Sequence, residues 1–105
     1  KINSSRIGAC LMRVTLFANF REHAGVKSFD LDLPAHTTIQ QAVEAIVQRY
    51  PALRRHWLNE AGEIHAHVHI FVNGEEYLTL PEAERTPLQP QDRLDFFPPV
   101  AGGQP

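Results

Sequence analysis

One stretch of the chain repeats its apolar residues at helical intervals, and almost every other patterned stretch alternates with a period of two. The helical stretch is Ile39, Ala42, Val43, Ile46, Val47 and Tyr50. Thr37 and Thr38 stand at its start, followed three residues later by Gln40 and Gln41, which is the spacing of a capping box. Pro51 ends it. A single amphipathic helix has to bury its stripe against something, and here the alternating segments supply a sheet.

The first alternating segment is 13–20, with Val14, Leu16 and Ala18 on one face and Arg13, Thr15, Phe17 and Asn19 on the other. Ala24-Gly25 breaks it. Residues 28–33 alternate again, Phe29, Leu31 and Leu33 opposite Asp30 and Asp32, so the two segments read as a hairpin. Leu53, Trp57 and Leu58 fit a short second turn of helix. Residues 65–72 form the next strand, with Val68, Ile70 and Val72 against His67, His69 and Phe71. Asn73-Gly74 is a hairpin signal, because both residues tolerate positive φ. A short return strand is expected at 76–80, a loop at 81–90 and a last strand at 93–97, with Leu94 and Phe96 opposite Asp95 and Phe97. Pro98 and Pro99 end that strand. The first and last strands are both strongly apolar on one face, so both belong near the middle of the sheet. The order predicts an α+β fold of β-grasp type, the ubiquitin-like roll: a mixed four- to five-stranded sheet packed on one main helix.

The predicted boundaries are a flexible N-terminal extension over 1–11, a single domain over 12–99 and a mobile tail over 100–105. The whole chain is 105 residues, within the range of one domain. The net charge is −2 with both signs interspersed, and no basic stripe points to nucleic acid. The lone Cys10 can form no internal disulfide or paired-cysteine motif. No apolar run reaches the roughly 18 residues of a membrane span. These features point to a cytoplasmic protein.

The run Thr86-Pro87-Leu88, then Asp92-Arg93-Leu94 through Phe96-Phe97-Pro98-Pro99-Val100-Ala101-Gly102-Gly103, resembles the MoaD/ThiS family of sulfur carriers. Ile70-Phe71-Val72-Asn73-Gly74-Glu75 resembles it too. The likeness covers about Met12 to Gly103. It implies a sulfur carrier protein that is not itself an enzyme. An adenylating, E1-like enzyme would activate the terminal glycine carboxylate with ATP, and sulfur would then replace the adenylate to give a thiocarboxylate. The carrier needs no cofactor of its own, since ATP belongs to the partner. A sulfurtransferase or a synthase acceptor subunit would be the next partner. The acceptor stays open between molybdopterin (molybdenum cofactor biosynthesis), thiamine, amino-acid and siderophore types. By this likeness Gly103 carries the adenylate and then the sulfur, with Gly102 beside it. The residue types suit the task. Glycine lacks a Cβ and lets the tail approach ATP closely. Pro98-Pro99 fixes an extended segment and lowers the entropy lost on threading. Val100 and Ala101 complete the partner-binding tail. Gln104 and Pro105 follow Gly103 and depart from the family pattern. If native, they have to be removed, for example by a processing metalloprotease, before Gly103 has a free carboxylate.

Other residues invite chemistry less well. His65, His67 and His69 fall at alternate positions on the expected strand, but same-face neighbours on one strand stand about 7 Å apart, too far for a shared tetrahedral ion. His23, His36 and His56 are isolated in sequence. Glu82, Glu84, Arg85 and Asp92 form a charged loop without the placement of a paired-carboxylate site. No metal site is expected. Trp57 is read as a packing residue rather than a ligand platform. Phe17, Phe71 and Phe97 are different. Each points away from the core face by the alternation, their strands should be neighbours, and three exposed phenylalanines would make an apolar patch of the kind that marks protein contacts. The alternative to sulfur transfer is a ubiquitin-like protein modifier or a non-enzymatic interaction module, and only the fate of the tail separates the two.

Overall fold

The computed structural model describes residues 9–99. Five strands form one sheet in the order β2-β1-β5-β3-β4. β1 (Ala9–Leu16) runs antiparallel to β2 (Ser28–Pro34) and parallel to β5 (Arg93–Phe97). β3 (His69–Val72) is antiparallel to β5 and to the two-residue β4 (Glu75–Glu76). The first and last strands are therefore central, as their one-sided apolarity requires, and the fold is the ubiquitin-like β-grasp.

The helix is α2 (Ile39–Arg49), with α1 (Asn19–Ala24) before it in the chain and α3 (Arg54–Trp57) after it. Thr38 caps α2: its hydroxyl accepts the Gln41 N–H at 3.2 Å, and the Gln41 side-chain oxygen accepts the Thr38 N–H at 3.0 Å. Thr37 has a different task. It is buried and donates its hydroxyl to the Pro34 carbonyl at 2.6 Å. Ile39, Ala42, Val43, Ile46 and Val47 are buried against Met12, Val14, Leu16, Ile70, Leu94 and Phe96 from the sheet. Fully burying a branched aliphatic side chain contributes about 1.5–3 kcal/mol, so this one interface dominates the fold's stability. Trp57, fully buried, stacks on Phe96 with centroids 4.2 Å apart and meets the edge of Phe20 at 5.5 Å. It is a core residue.

The elements differ from the sequence expectation in several places. β1 starts at Ala9, inside the expected 1–11 extension, and continues the β2 ladder through Leu11 opposite Asp32. It stops at Leu16 instead of running to residue 20. Ala18 turns the chain at φ 54°, and α1 follows, closed by Gly25 at φ 80°. Ala18 is exposed, not on the core face, while Phe20 is buried. The strand expected at 65–72 is only His69–Val72, because Ile64 bridges back to Leu58 and residues 65–67 turn. The return strand is two residues long. Tyr77 then leaves the ladder in a 3₁₀ turn (Tyr77–Thr79) that buries its ring. The expected loop at 81–90 is not empty of structure: Leu88 plugs the core and its N–H donates to the Thr37 carbonyl at 2.8 Å. Among the described residues, no helix is long and apolar enough to cross a membrane.

Candidate docking face and C-terminal tail

The sheet face away from α2 carries the side chains that alternation turns outward. Phe71 lies between buried Ile70 and Val72, and Phe97 follows buried Phe96. Phe17 follows buried Leu16, and its N–H donates to the Phe96 carbonyl at 3.1 Å, which keeps it in step with β5. The three rings meet. Phe17 and Phe97 stack with centroids 4.1 Å apart and planes within 11°. Phe71 meets Phe97 edge-on at 5.4 Å. Each ring is half-buried rather than fully exposed, since each covers part of the next. The result is one apolar cluster centred on Phe97, at the end of β5 where the chain leaves the sheet.

A groove of about 400 Å³ opens beside this cluster, lined by His69, Phe71, Gly74, Asp95, Phe97 and Pro98. Its floor is apolar and its rim is charged. His69 Nδ1 sits 3.2 Å from a Glu76 carboxylate oxygen. Asp95 pairs across the ladder with Phe71 on one side and Thr15 on the other. The sequence pattern had put Asp95 on this face with Phe97, but its place among the phenylalanines follows only from the strand order. Pro98 is half-buried in the groove and Pro99 is exposed. Val100, Ala101, Gly102 and Gly103, the expected working tail, lie outside the described residues, as do Gln104, Pro105 and the first eight residues.

The remaining candidates are dispersed by the fold. His69 belongs to the outer sheet face, whereas His65 and His67 stack on each other at 4.8 Å in the turn before β3, so the three do not share one strand face. His23 stacks on His56 at 4.2 Å between α1 and α3. Burial first, then the neighbouring His23, Arg55, His67 and His65, holds His56 below its ordinary value of 6.5. Among the described residues, no three histidine, cysteine or acidic side chains stand where they could share a metal ion. Burial, followed by Glu84 and Glu76, raises the Tyr77 phenol above its ordinary range. Asp92 is a loop fastener: its carboxylate accepts from the Asn73 side-chain amide at 2.9 Å and from the Gln89 N–H at 2.8 Å.

Comparison with known proteins fits this geometry. The ThiS family model matches residues 14–103. The small archaeal modifier protein 1 of Haloferax volcanii is 35% identical over 92 residues, which cover 88% of this chain and all of that protein. The molybdopterin synthase sulfur carrier subunit of Arabidopsis thaliana is 31% identical over 103 residues, covering 98% of this chain and 94% of that protein. A crystal structure of SAMP1 from Haloferax volcanii superposes with a TM-score of 0.80 at 32% identity, over 89% of this chain and 99% of that one.

Proposed function

This chain belongs to the ThiS family, a group of ubiquitin-like sulfur carriers and modifiers, and on that footing we propose that it carries sulfur on the carboxylate of Gly103. One observation supports the reading above the rest: the family match spans the Phe96-Phe97-Pro98-Pro99 exit and its last matched residue is Gly103. A partner enzyme joins the Gly103 carboxylate to AMP from ATP, releasing pyrophosphate. A donor of sulfide-level sulfur then attacks the acyl carbon, the bond to AMP breaks and AMP leaves, and the tail ends in a thiocarboxylate. With the peptide bond to Gln104 intact, Gly103 has no carboxylate to activate.

The chain's own contribution is presentation. β5 is a central strand held on both sides, so the exit at Pro98 starts from a rigid point. Pro98 and Pro99 have fixed φ and no N–H, which keeps the exit extended. The phenylalanine cluster next to that exit offers an apolar surface on which the adenylating enzyme docks while the tail enters its site. Ordering a free tail costs roughly 1–2 kcal/mol per residue, and docking contacts offset that loss.

The test is intact mass. A chain ending at Gly103 is incubated with its adenylating enzyme, ATP and a sulfur donor, and one oxygen is replaced by sulfur. The same treatment of the chain ending at Pro105 leaves its mass unchanged. If the longer chain takes up AMP or sulfur while keeping Gln104 and Pro105, the proposal fails. A second reading has its own support, since two relatives at 35% and 34% identity are named modifier proteins. In that reading the activated Gly103 carboxylate forms an isopeptide bond with a lysine, and the product is a heavier conjugate instead of a thiocarboxylate.

A further inference from the structure

Most charges on the outer sheet face have partners. Arg13 pairs with Asp30 at 3.2 Å and His69 with Glu76 at 3.2 Å. Asp95 has none: among the described residues no hydrogen bond or ion pair reaches its carboxylate, and Arg93, two residues earlier on the same strand face, forms no ion pair with it. Yet Asp95 is half-buried, in the wall of the groove that Phe71, Phe97 and Pro98 line. A carboxylate partly withdrawn from water beside aromatic rings is costly unless a cation meets it. The rings themselves favour a cation at their faces. Glu76 at the rim adds to the negative field, with His69 as its own partner.

We propose that this groove takes an arginine side chain of the docking partner, its guanidinium paired with Asp95 and its apolar stem lying along Phe71 and Phe97. Arginine fits better than lysine because its flat, weakly hydrated head can lie on an aromatic ring and fork onto a carboxylate at once. The volume, about 400 Å³, lies at the lower end of small-ligand sites, as suits one long side chain. The inference rests on the reading of this face as a docking surface and adds which partner chemistry it selects.

The test needs neither partner nor ATP. The isotope-labelled chain is titrated by NMR with N-acetylarginine methylamide and with its norleucine counterpart. The arginine probe should give saturable shifts at Phe71, Asp95 and Phe97, and bind more tightly than norleucine. Asp95→Asn keeps the side chain's shape and should weaken the arginine probe about threefold or more, leaving norleucine unchanged. Asp95→Glu should retain the preference. Absence of shifts in the groove, equal binding of the two probes, or an Asp95→Asn chain that binds arginine as well as the parent would each overturn the proposal. Because sulfur transfer is read by mass and this site by NMR, either can fail while the other stands.

Discussion

At the scale of single residues, Trp57 and Phe97 occupy opposite sides of the sheet and should respond to mutation in opposite ways. Trp57 is fully enclosed between Phe96 and Phe20, so Trp57→Ala should cost about 3–5 kcal/mol in denaturant unfolding. Among the described residues, its indole N–H has no hydrogen-bond partner. Trp57→Phe therefore loses volume but no hydrogen bond, and should cost distinctly less than Trp57→Ala. Phe97 instead holds two ring contacts on the open face. Phe97→Ala should cost roughly 1–3 kcal/mol of stability, one aromatic pair being worth about 0.5–1.5. Its effect on docking should be at least as large, because a buried aromatic at the centre of an interface carries about 2 kcal/mol or more. Phe71→Ala, which removes one contact, should fall below Phe97→Ala on both scales. Calorimetry against the adenylating enzyme, with melting curves in parallel, checks the order. His56 gives a pH dependence. Its folded value lies below 6.5, so the unfolded chain binds the proton more readily. The stability His56 allows is complete above 6.5 and is lost as pH falls through the lower folded value. The melting temperature should drop between about pH 8 and about pH 5, and drop less in His56→Gln.

At the scale of elements, the legible ones were those whose local chemistry matched their tertiary setting. α2 could be read because its apolar period, its Thr38–Gln41 cap and its Pro51 stop agree. Thr38→Ala removes one arm of that cap and should cost about 1 kcal/mol by thermal unfolding. The β3–β4 turn was equally legible, since Asn73 at φ 53° and Gly74 at φ 91° are the residues such a turn demands. At Gly74 an added Cβ meets nothing within 4 Å, so Gly74→Ala should cost only its backbone strain, about 1–2 kcal/mol. α1 was not legible. It is six residues long, has one buried residue, Phe20, and lacks a side-chain cap, so nothing in 19–24 distinguishes it from the end of a strand. Tertiary packing on Trp57 decides it. Tyr77 was missed for a similar reason, as burial of its ring draws it out of the alternating ladder. For the outer phenylalanine face, alternation supplied the outward direction of Phe17, Phe71, Phe97 and Asp95. Their adjacency could be expected only through the strand order of the whole fold, and it rests on the parallel pairing of β1 with β5 and the antiparallel pairing of β3 with β5, neither of which leaves a local mark.

At the scale of the whole molecule, that parallel pairing joins the two ends of the domain. Thr15 lies beside Asp95 and Leu16 beside Phe96, and the Phe17–Phe97 stack seals the same junction from outside. Contacts this distant in sequence form late, because the loop that links them has to close first. A chain growing on the ribosome can close the β1–β2 ladder and wind α2 early. It cannot finish the sheet until β5 has cleared the exit tunnel, and until then Met12, Val14 and Leu16 lack their central neighbour. The phenylalanine cluster is subject to the same schedule, for Phe17 is made well before its stacking partner Phe97. A polypeptide cut short before β5 thus lacks both the strand that closes the sheet and the ring that Phe17 stacks on. Completion of the sheet thus depends on the first and last strands of the domain finding each other, and the outer phenylalanine stack forms only once they have.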